Sequence, residues 1–309
     1  MPDFVHKPVM LAEVLEALQP KPGGCYADGT LGGAGHAAAI LAASSPTGWL
    51  YGCDRDGAAL EIARNRLAAF AGRFELRQAN FAELAAWIPY GTCNGVLLDL
   101  GISSAQLEAG ERGFSFQHDG PLDMRMDPRQ PLTASVLVNT ASEEQLASIF
   151  RDLGGEPNAR RFARAIIRVR EQRPFEYTGH LARLLESVSP RCGKKIHPAT
   201  RVFQSLRIAV NDELGSLQKG LDAALQILAP SGRMAVITFH SLEARIVKDF
   251  GRTRARDYTF TGGVDVPELR EPRAPELKLI TRKAITPAAT ELAENPRSRS
   301  AQLRVMEKI

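Results

Sequence analysis

The sequence predicts an α/β fold: an open, mostly parallel, Rossmann-like sheet carrying an inserted, mainly helical second domain. Three observations lead there. Short apolar runs alternate with helical runs over the first hundred residues. Three of the strand-like runs end in an acid, Asp28, Asp54 and Asp99, at the edge where open α/β sheets bind ligands. After Gly101 the alternation stops, helices with a basic bias follow, and a strand pattern returns only at Arg233.

Taken in order, Met10, Val14, Leu15 and Leu18 fall at helical spacing, and Pro20 and Pro22 close that helix. Cys25-Tyr26-Ala27 reads as the first strand, followed by the glycine-dense turn from Asp28 to His36 and an alanine-rich helix from Ala37 to Ala43. Gly48 to Asp54 is the second strand, Ala58 to Phe70 a helix, Phe74 to Gln78 the third strand, and Asn94 to Gly101 the fourth. The last is a continuous apolar run, as suits the buried middle of a parallel sheet. Ile102 to Pro131 is dense in Gly, Pro, Ser, Asp and Arg. Its Phe114, Phe116, Met124 and Met126 argue for a structured active-site loop over a disordered one. Helices are expected over Glu143 to Asp152, Asn158 to Arg170, Gly179 to Ser187, and Thr200 to Leu228 with a break near Gly215. A fifth strand covers Arg233 to Phe239, His240-Ser241 opens another helix, and Leu277 to Lys283 with Ala301 to Glu307 read as a closing pair. The predicted domains are therefore a discontinuous sheet domain, 1–105 and 200–309, and an active-site loop with a helical, basic insertion, 106–199.

The glycine turn places Gly32, Gly33, Ala34, Gly35 and His36 where a ligand can approach the backbone and the free N–H groups of a helix start. Gly33-Ala34-Gly35-His36-Ala37-Ala38 also fits the dinucleotide pattern, and Asp54 lies 19 residues past Gly35, where a carboxylate binds ribose hydroxyls. Asp28 decides between cofactors. Its carboxylate would repel a pyrophosphate but hold the ammonium and sulfonium of S-adenosylmethionine, so methyl transfer is expected ahead of NAD-dependent oxidoreduction. Phe81, just past the third strand, suits an adenine face or a core position equally.

The 309 residues, 44% hydrophobic and 24% charged, are those of a globular protein with a substantial core. Four scattered cysteines lack metal spacing and suit reduced thiols. The start of the chain carries no signal-like pattern and no run spans a bilayer, so a cytoplasmic protein without a membrane partner is expected. Net charge is +4, yet Arg151 to Val210 holds 13 Lys/Arg against 5 Asp/Glu. A basic module on a mildly acidic one suits a nucleic-acid substrate; solvated helix faces are the plainer account.

Several stretches then resemble one family. They are Asp28 to His36, Leu97 to Ser104, Glu111 to Phe116, Asp119 to Asp127, His197 to Arg201, Phe239 to Glu243 and Asn295 to Ser300. Together they are similar to the MraW family, also called RsmH, bacterial ribosomal RNA small-subunit methyltransferases, from His6 to the C-terminus. Pro121-Leu122-Asp123-Met124-Arg125-Met126 is the most specific of them. The resemblance implies a class I S-adenosylmethionine-dependent methyltransferase fold with an inserted helical domain. It also implies methylation of the exocyclic N4 amine of a cytosine in 16S ribosomal RNA near the decoding centre. By position it puts Ala34, Gly35 and His36 in the cofactor loop, Asp54 on the ribose, Phe81 beside the adenine, and Asp99 and Gln106 along the cofactor and reaction site. The chain lacks the Asp/Asn-Pro-Pro-aromatic turn of many base-amine methyltransferases, having Asp99-Leu100-Gly101-Ile102-Ser103-Ser104 instead, so acceptor geometry cannot be carried over from those enzymes.

For the chemistry, Asp99 or a nearby backbone carbonyl is the expected proton acceptor, with Ser103 and Ser104 orienting the base or simply forming the turn. Phe114, Phe116 and His118 are candidates to stack on a splayed-out base, and Arg112 and Arg125 to hold phosphates. Lys194, Lys195, His197 and Arg201 are expected on the RNA backbone. His240 ranks below Asp99 as a reacting group. A non-catalytic RNA-binding assembly factor remains an alternative at this stage. Whether the substrate is naked RNA or the assembled small subunit, and whether the chain acts as a monomer or homodimer, stays open.

Overall fold

Strand β1 (Cys25–Asp28) is an interior strand of a seven-stranded sheet. The computed structural model describes residues 8–190, 197–260 and 265–309, without the side chains of residues 104 and 105. Helix α1 (Leu11–Leu18) precedes β1, and α2 (Gly35–Ala43), β2 (Trp49–Asp54), α3 (Gly57–Arg66), β3 (Phe74–Gln78) and β4 (Cys93–Asp99) follow it. The predicted helix to Phe70 ends early: α3 stops at Arg66 and a separate 3₁₀ turn covers Ala68–Phe70. Strand β5 (Leu228–Thr238), β8 (Leu277–Leu279) and β9 (Gln302–Lys308) complete the sheet in the order β3-β2-β1-β4-β5-β9-β8. The five strands β1 to β5 run parallel, whereas β9 is antiparallel to β5 and β8.

Side-chain alternation along the strands builds two cores, one per face. Leu97 of β4 and Ala235 and Ile237 of β5 face the layer that holds α1, α2 and α3. Their neighbours Val96, Leu98, Met234 and Val236 face α10 (Glu213–Ile227) and α11 (Ser241–Arg254) through Leu217, Leu221 and Val247. Between Cys93↔Leu228 and Gly95↔Arg233 the pairing of β4 with β5 skips residues 229–232, a local excursion in which Ser231 adopts a positive φ.

The chain divides into a sheet unit, 1–101 with 214–309, and a helical unit, 102–213. These limits differ from the predicted 105/106 and 199/200. Helix α9 (Ala199–Asn211) belongs to the helical unit because Ala199, Val202, Phe203, Leu206 and Val210 fill its core. The break in the long helix falls at Asp212, in the left-handed region at φ 45°, not at Gly215, which lies inside α10. In the helical unit α4 (Ser104–Glu108), α5 (Ala134–Thr140), α6 (Glu143–Asp152), α7 (Ala159–Arg170) and α8 (Thr178–Val188) precede α9. Elsewhere β6 (Tyr258–Phe260) pairs with β7 (Arg270–Pro272), and α12 (Ala289–Glu294) lies ahead of β9. Among the described residues no helix is long and apolar enough to cross a membrane.

Candidate active site

The strand order reverses between β1 and β4, and a crevice at such a switch point is where an open α/β sheet takes its ligand. Register places Asp28 opposite Gly52 of β2 and Leu97 of β4. Asp54 and Asp99, each two residues further along, therefore reach roughly 6–7 Å beyond Asp28. The glycine loop is stitched to both neighbours: Gly29 N–H donates to Leu97 O at 3.0 Å and Leu31 N–H to Cys53 O at 3.1 Å. Gly32, at φ 47°, donates its N–H to Asp54 Oδ2 at 2.8 Å. Ala34 caps α2 from the left-handed region at φ 56°. At Gly35 a Cβ would stand 2.3 Å from Pro8 Cγ, so only glycine lets α2 begin there.

Thr30 holds two strand tips together and was not singled out from the sequence. Its Oγ1 accepts from Asp99 N–H at 2.6 Å, while Thr30 N–H donates to Asp28 Oδ1 at 3.1 Å. The only sequence signal was its departure from the glycines common in such loops, and a short β-branched alcohol suits this bridge. Asp54 accepts backbone N–H groups on both oxygens, from Gly32, from Asp56 at 2.9 Å and from Arg55. A carboxylate oxygen has a second lone pair, so ribose hydroxyls remain within its capacity.

The three carboxyls are driven toward their neutral forms. Burial pushes Asp28 up to about 7, against the backbone N–H of Thr30, and the nearby charge of Asp54 adds to the rise. Burial also raises Asp54. Asp99 is raised well above the usual carboxylate range, first by burial and then by Asp28 and Glu243. Its Oδ1 is buried with no hydrogen-bond partner among the described residues. His36 is buried beside it. Its Nε2 faces Val9 O at 2.9 Å, and because a carbonyl only accepts, that nitrogen carries the proton; Nδ1 lies 3.8 Å from Asp99 Oδ2. Residues of this kind fit a cationic nucleoside. Positive charge between Asp28 and Asp99 would restore both carboxylates, whereas a pyrophosphate would meet them as repulsion.

His240, at the tip of β5, is tied to its own helix. Glu243 is buried, accepts from Phe239 N–H at 2.8 Å, and lies 3.1 Å from His240 Nε2. Phe81 is half-buried, filling space left by Gly29 and by Gly220 of α10, where a Cβ would be 2.2 Å from its ring.

In the helical unit several expected roles change. Ser103 and Gln106 cap α4 reciprocally: Gln106 N–H donates to Ser103 Oγ at 3.2 Å and Ser103 N–H to Gln106 Oε1 at 3.1 Å. This is the turn-forming role for Ser103, and Gln106 is buried. Phe114 is 7% exposed and belongs to the core, so a base cannot stack on it. Phe116 is half-buried between His197, at 4.6 Å, and Phe203, at 5.0 Å. Arg125 pairs through two bonds of 2.8 Å with Asp123 and donates to Pro128 O and Gln130 O. Arg112 donates to Arg125 O and Met126 O. Both guanidiniums thus shape the loop before they could hold a phosphate. His197 Nδ1 accepts from Ala199 N–H, and exposed Arg201 donates to Gly155 O. Lys194 and Lys195 lie outside the described residues, and so does the side chain of Ser104.

An open sheet with three acidic strand tips around a helix-opening glycine loop defines a nucleoside-binding α/β enzyme suited to S-adenosylmethionine. The MraW methylase family model matches residues 3–309. Ribosomal RNA small subunit methyltransferase H of Geobacter sulfurreducens is 51% identical over 99% of this chain and 99% of its own length. Its counterpart in Symbiobacterium thermophilum is 49% identical over 99% of this chain and 97% of its own. That of Geobacter sp. strain M21 is 50% identical over the whole of both chains. The chain belongs to the MraW methylase family, and its cofactor is S-adenosylmethionine. Neither the oxidoreductase nor the non-catalytic alternative is favoured.

Proposed function

We propose that this methylase transfers a methyl group from S-adenosylmethionine to the exocyclic N4 amine of a cytosine in 16S ribosomal RNA near the decoding centre, acting on the small ribosomal subunit. The observation that carries the reading is Asp99 Oδ1, an unpartnered buried acceptor at the strand tip beside the cofactor loop. The names of the full-length relatives supply the substrate class.

Bound S-adenosylmethionine supplies an electrophilic methyl on a sulfonium. Asp28 would hold its ammonium end, the first N–H groups of α2 its carboxylate, Asp54 its ribose hydroxyls and Phe81 its adenine. Cytosine's amine is a weak nucleophile because its lone pair is shared with the ring. Asp99, accepting one N–H of that amine, localises the lone pair and receives the proton as the new bond forms. Holding the amine in place beside the bound cofactor would supply the rest of the acceleration. The helical unit, 102–213, with the basic run around His197 and Arg201, holds the RNA.

Labelled methyl transfer to small subunits from cells lacking this gene tests the reading, with the RNA digested to nucleosides. Label is expected in N4-methylated cytidine, and Asp99→Asn should lower turnover about 10²–10⁴-fold at saturating cofactor. Label in another nucleoside would overturn the substrate. Undiminished turnover of Asp99→Asn would remove Asp99 as proton acceptor.

A further inference from the structure

At the antiparallel edge of the sheet unit, α11, β8 and β9 enclose a cleft of about 280 Å³. Val247, Leu279 and Met306 line its base, where Leu279 is half-buried and the other two are buried, and Gly251 lets α11 approach, since a Cβ there would meet Met306 Sδ at 2.8 Å. Four cations surround it: Lys248, Arg252, Arg282 and Arg304. Among the described residues none of the four has a carboxylate partner; Glu307, the acid on β9, is taken by Arg233 and Lys278. Asp249 follows Lys248 in sequence but points about 100° round the helix. Arg304 is partly buried with its Nε lacking a hydrogen-bond partner, and burial together with the charge of Arg252 lowers its pKa.

A cleft ringed by guanidiniums without carboxylate partners among the described residues asks for an anionic ligand. Guanidinium groups match phosphate oxygens in pairs. The volume, near the lower limit of small-molecule sites at roughly 300 Å³, admits one nucleotide and no folded segment. The cleft is separate from the reacting site. Arg304 pairs with Val236, which pairs with Leu98, so it stands two strands, roughly 10 Å, aside from the strand that carries Asp99.

We propose that this cleft anchors a backbone phosphate of the ribosomal RNA flanking the target, held by Arg252, Arg282 and Arg304. The proposal rests on the RNA-substrate reading above. Arg252 and Arg282 are exposed, so R252E/R282E should fold, with an unchanged melting temperature as the check. In methylation of small subunits its KM should rise tenfold or more, with kcat and S-adenosylmethionine affinity unchanged. The slope of log KM against log salt should fall by roughly 0.7–0.9 as that phosphate contact is lost. An unchanged KM and slope in an active variant would overturn the anchor. So would a variant that loses binding of adenosine monophosphate while keeping its KM, which would assign the cleft to a free nucleotide. Failure of the unmodified enzyme to methylate small subunits would instead sink the substrate reading, independently of the ratio between variant and parent.

Discussion

Asp28 carries the sharpest consequence of its surroundings. Its folded-state pKa stands near 7, raised by burial from an ordinary 3.8. Between those values the folded chain holds a proton that the unfolded chain has released, so this group's contribution to stability declines as pH rises through that window. By pH 8 the loss approaches about 4 kcal/mol at most. We therefore expect Asp28→Asn to melt higher than the parent at pH 8 without cofactor, to differ little at pH 4, and to bind S-adenosylmethionine more weakly. Thermal melts and calorimetry at the two pH values check it; parallel pH profiles would mean Asp28 ionises freely. The place of Asp28 at the end of β1 was legible from an acid before glycines. Thr30 was not, because a hydroxyl bridging Asp28 and Asp99 N–H depends on two strands being neighbours.

At the scale of elements, the stretch Pro121 to Asp127 is a piece of architecture. Leu122 and Met124 are buried, Ala134 N–H donates to Asp123 O at 2.7 Å, and Arg125 grips Asp123. Asn211, near the end of α9, fastens the loop: its Oδ1 accepts from Met126 N–H at 2.7 Å and its Nδ2 donates to Met124 O at 2.8 Å. Asn211→Ala should cost the helical unit about 2–4 kcal/mol by leaving both backbone groups without that partner. Urea unfolding measures the loss, and faster proteolysis within 121–130 locates it; protease resistance equal to the parent would show the loop is held by other contacts. The loop's structured character was readable from its aromatics and methionines. Which aromatic faces inward was not, since Phe114 in the core and half-buried Phe116 are the same residue type two positions apart.

For the whole molecule, charge is the governing quantity. The excess of Lys and Arg between Arg151 and Val210 belongs to the helical unit, while acidic tips line the sheet unit. Substrate and cofactor should therefore respond differently to salt. From 50 to 200 mM, KM for small subunits is expected to climb with a log–log slope of about 3 or more, each phosphate contact contributing roughly 0.7–0.9. The dissociation constant for S-adenosylmethionine should change little, because its partners are buried and poorly screened. Steady-state kinetics over that range decides, and a flat KM would separate the basic run from RNA binding.

By itself the sequence determined the strands of the main sheet, the three acidic tips and the glycine loop, all properties of local pattern and periodicity. Asp28 and Asp99 could be proposed as a cofactor site because strand ends fall on one edge of any open parallel sheet. Tertiary structure decided the rest. It turned Ser103 and Gln106 into a reciprocal helix cap, engaged Arg112 and Arg125 within their own loop, and moved α9 into the helical unit. It also gathered Arg252, Arg282 and Arg304 from three segments around one cleft. Each of these depends on which groups become neighbours after folding, and burial, hydrogen bonding and charge repulsion act on those neighbours at a few ångströms, whatever their separation along the chain.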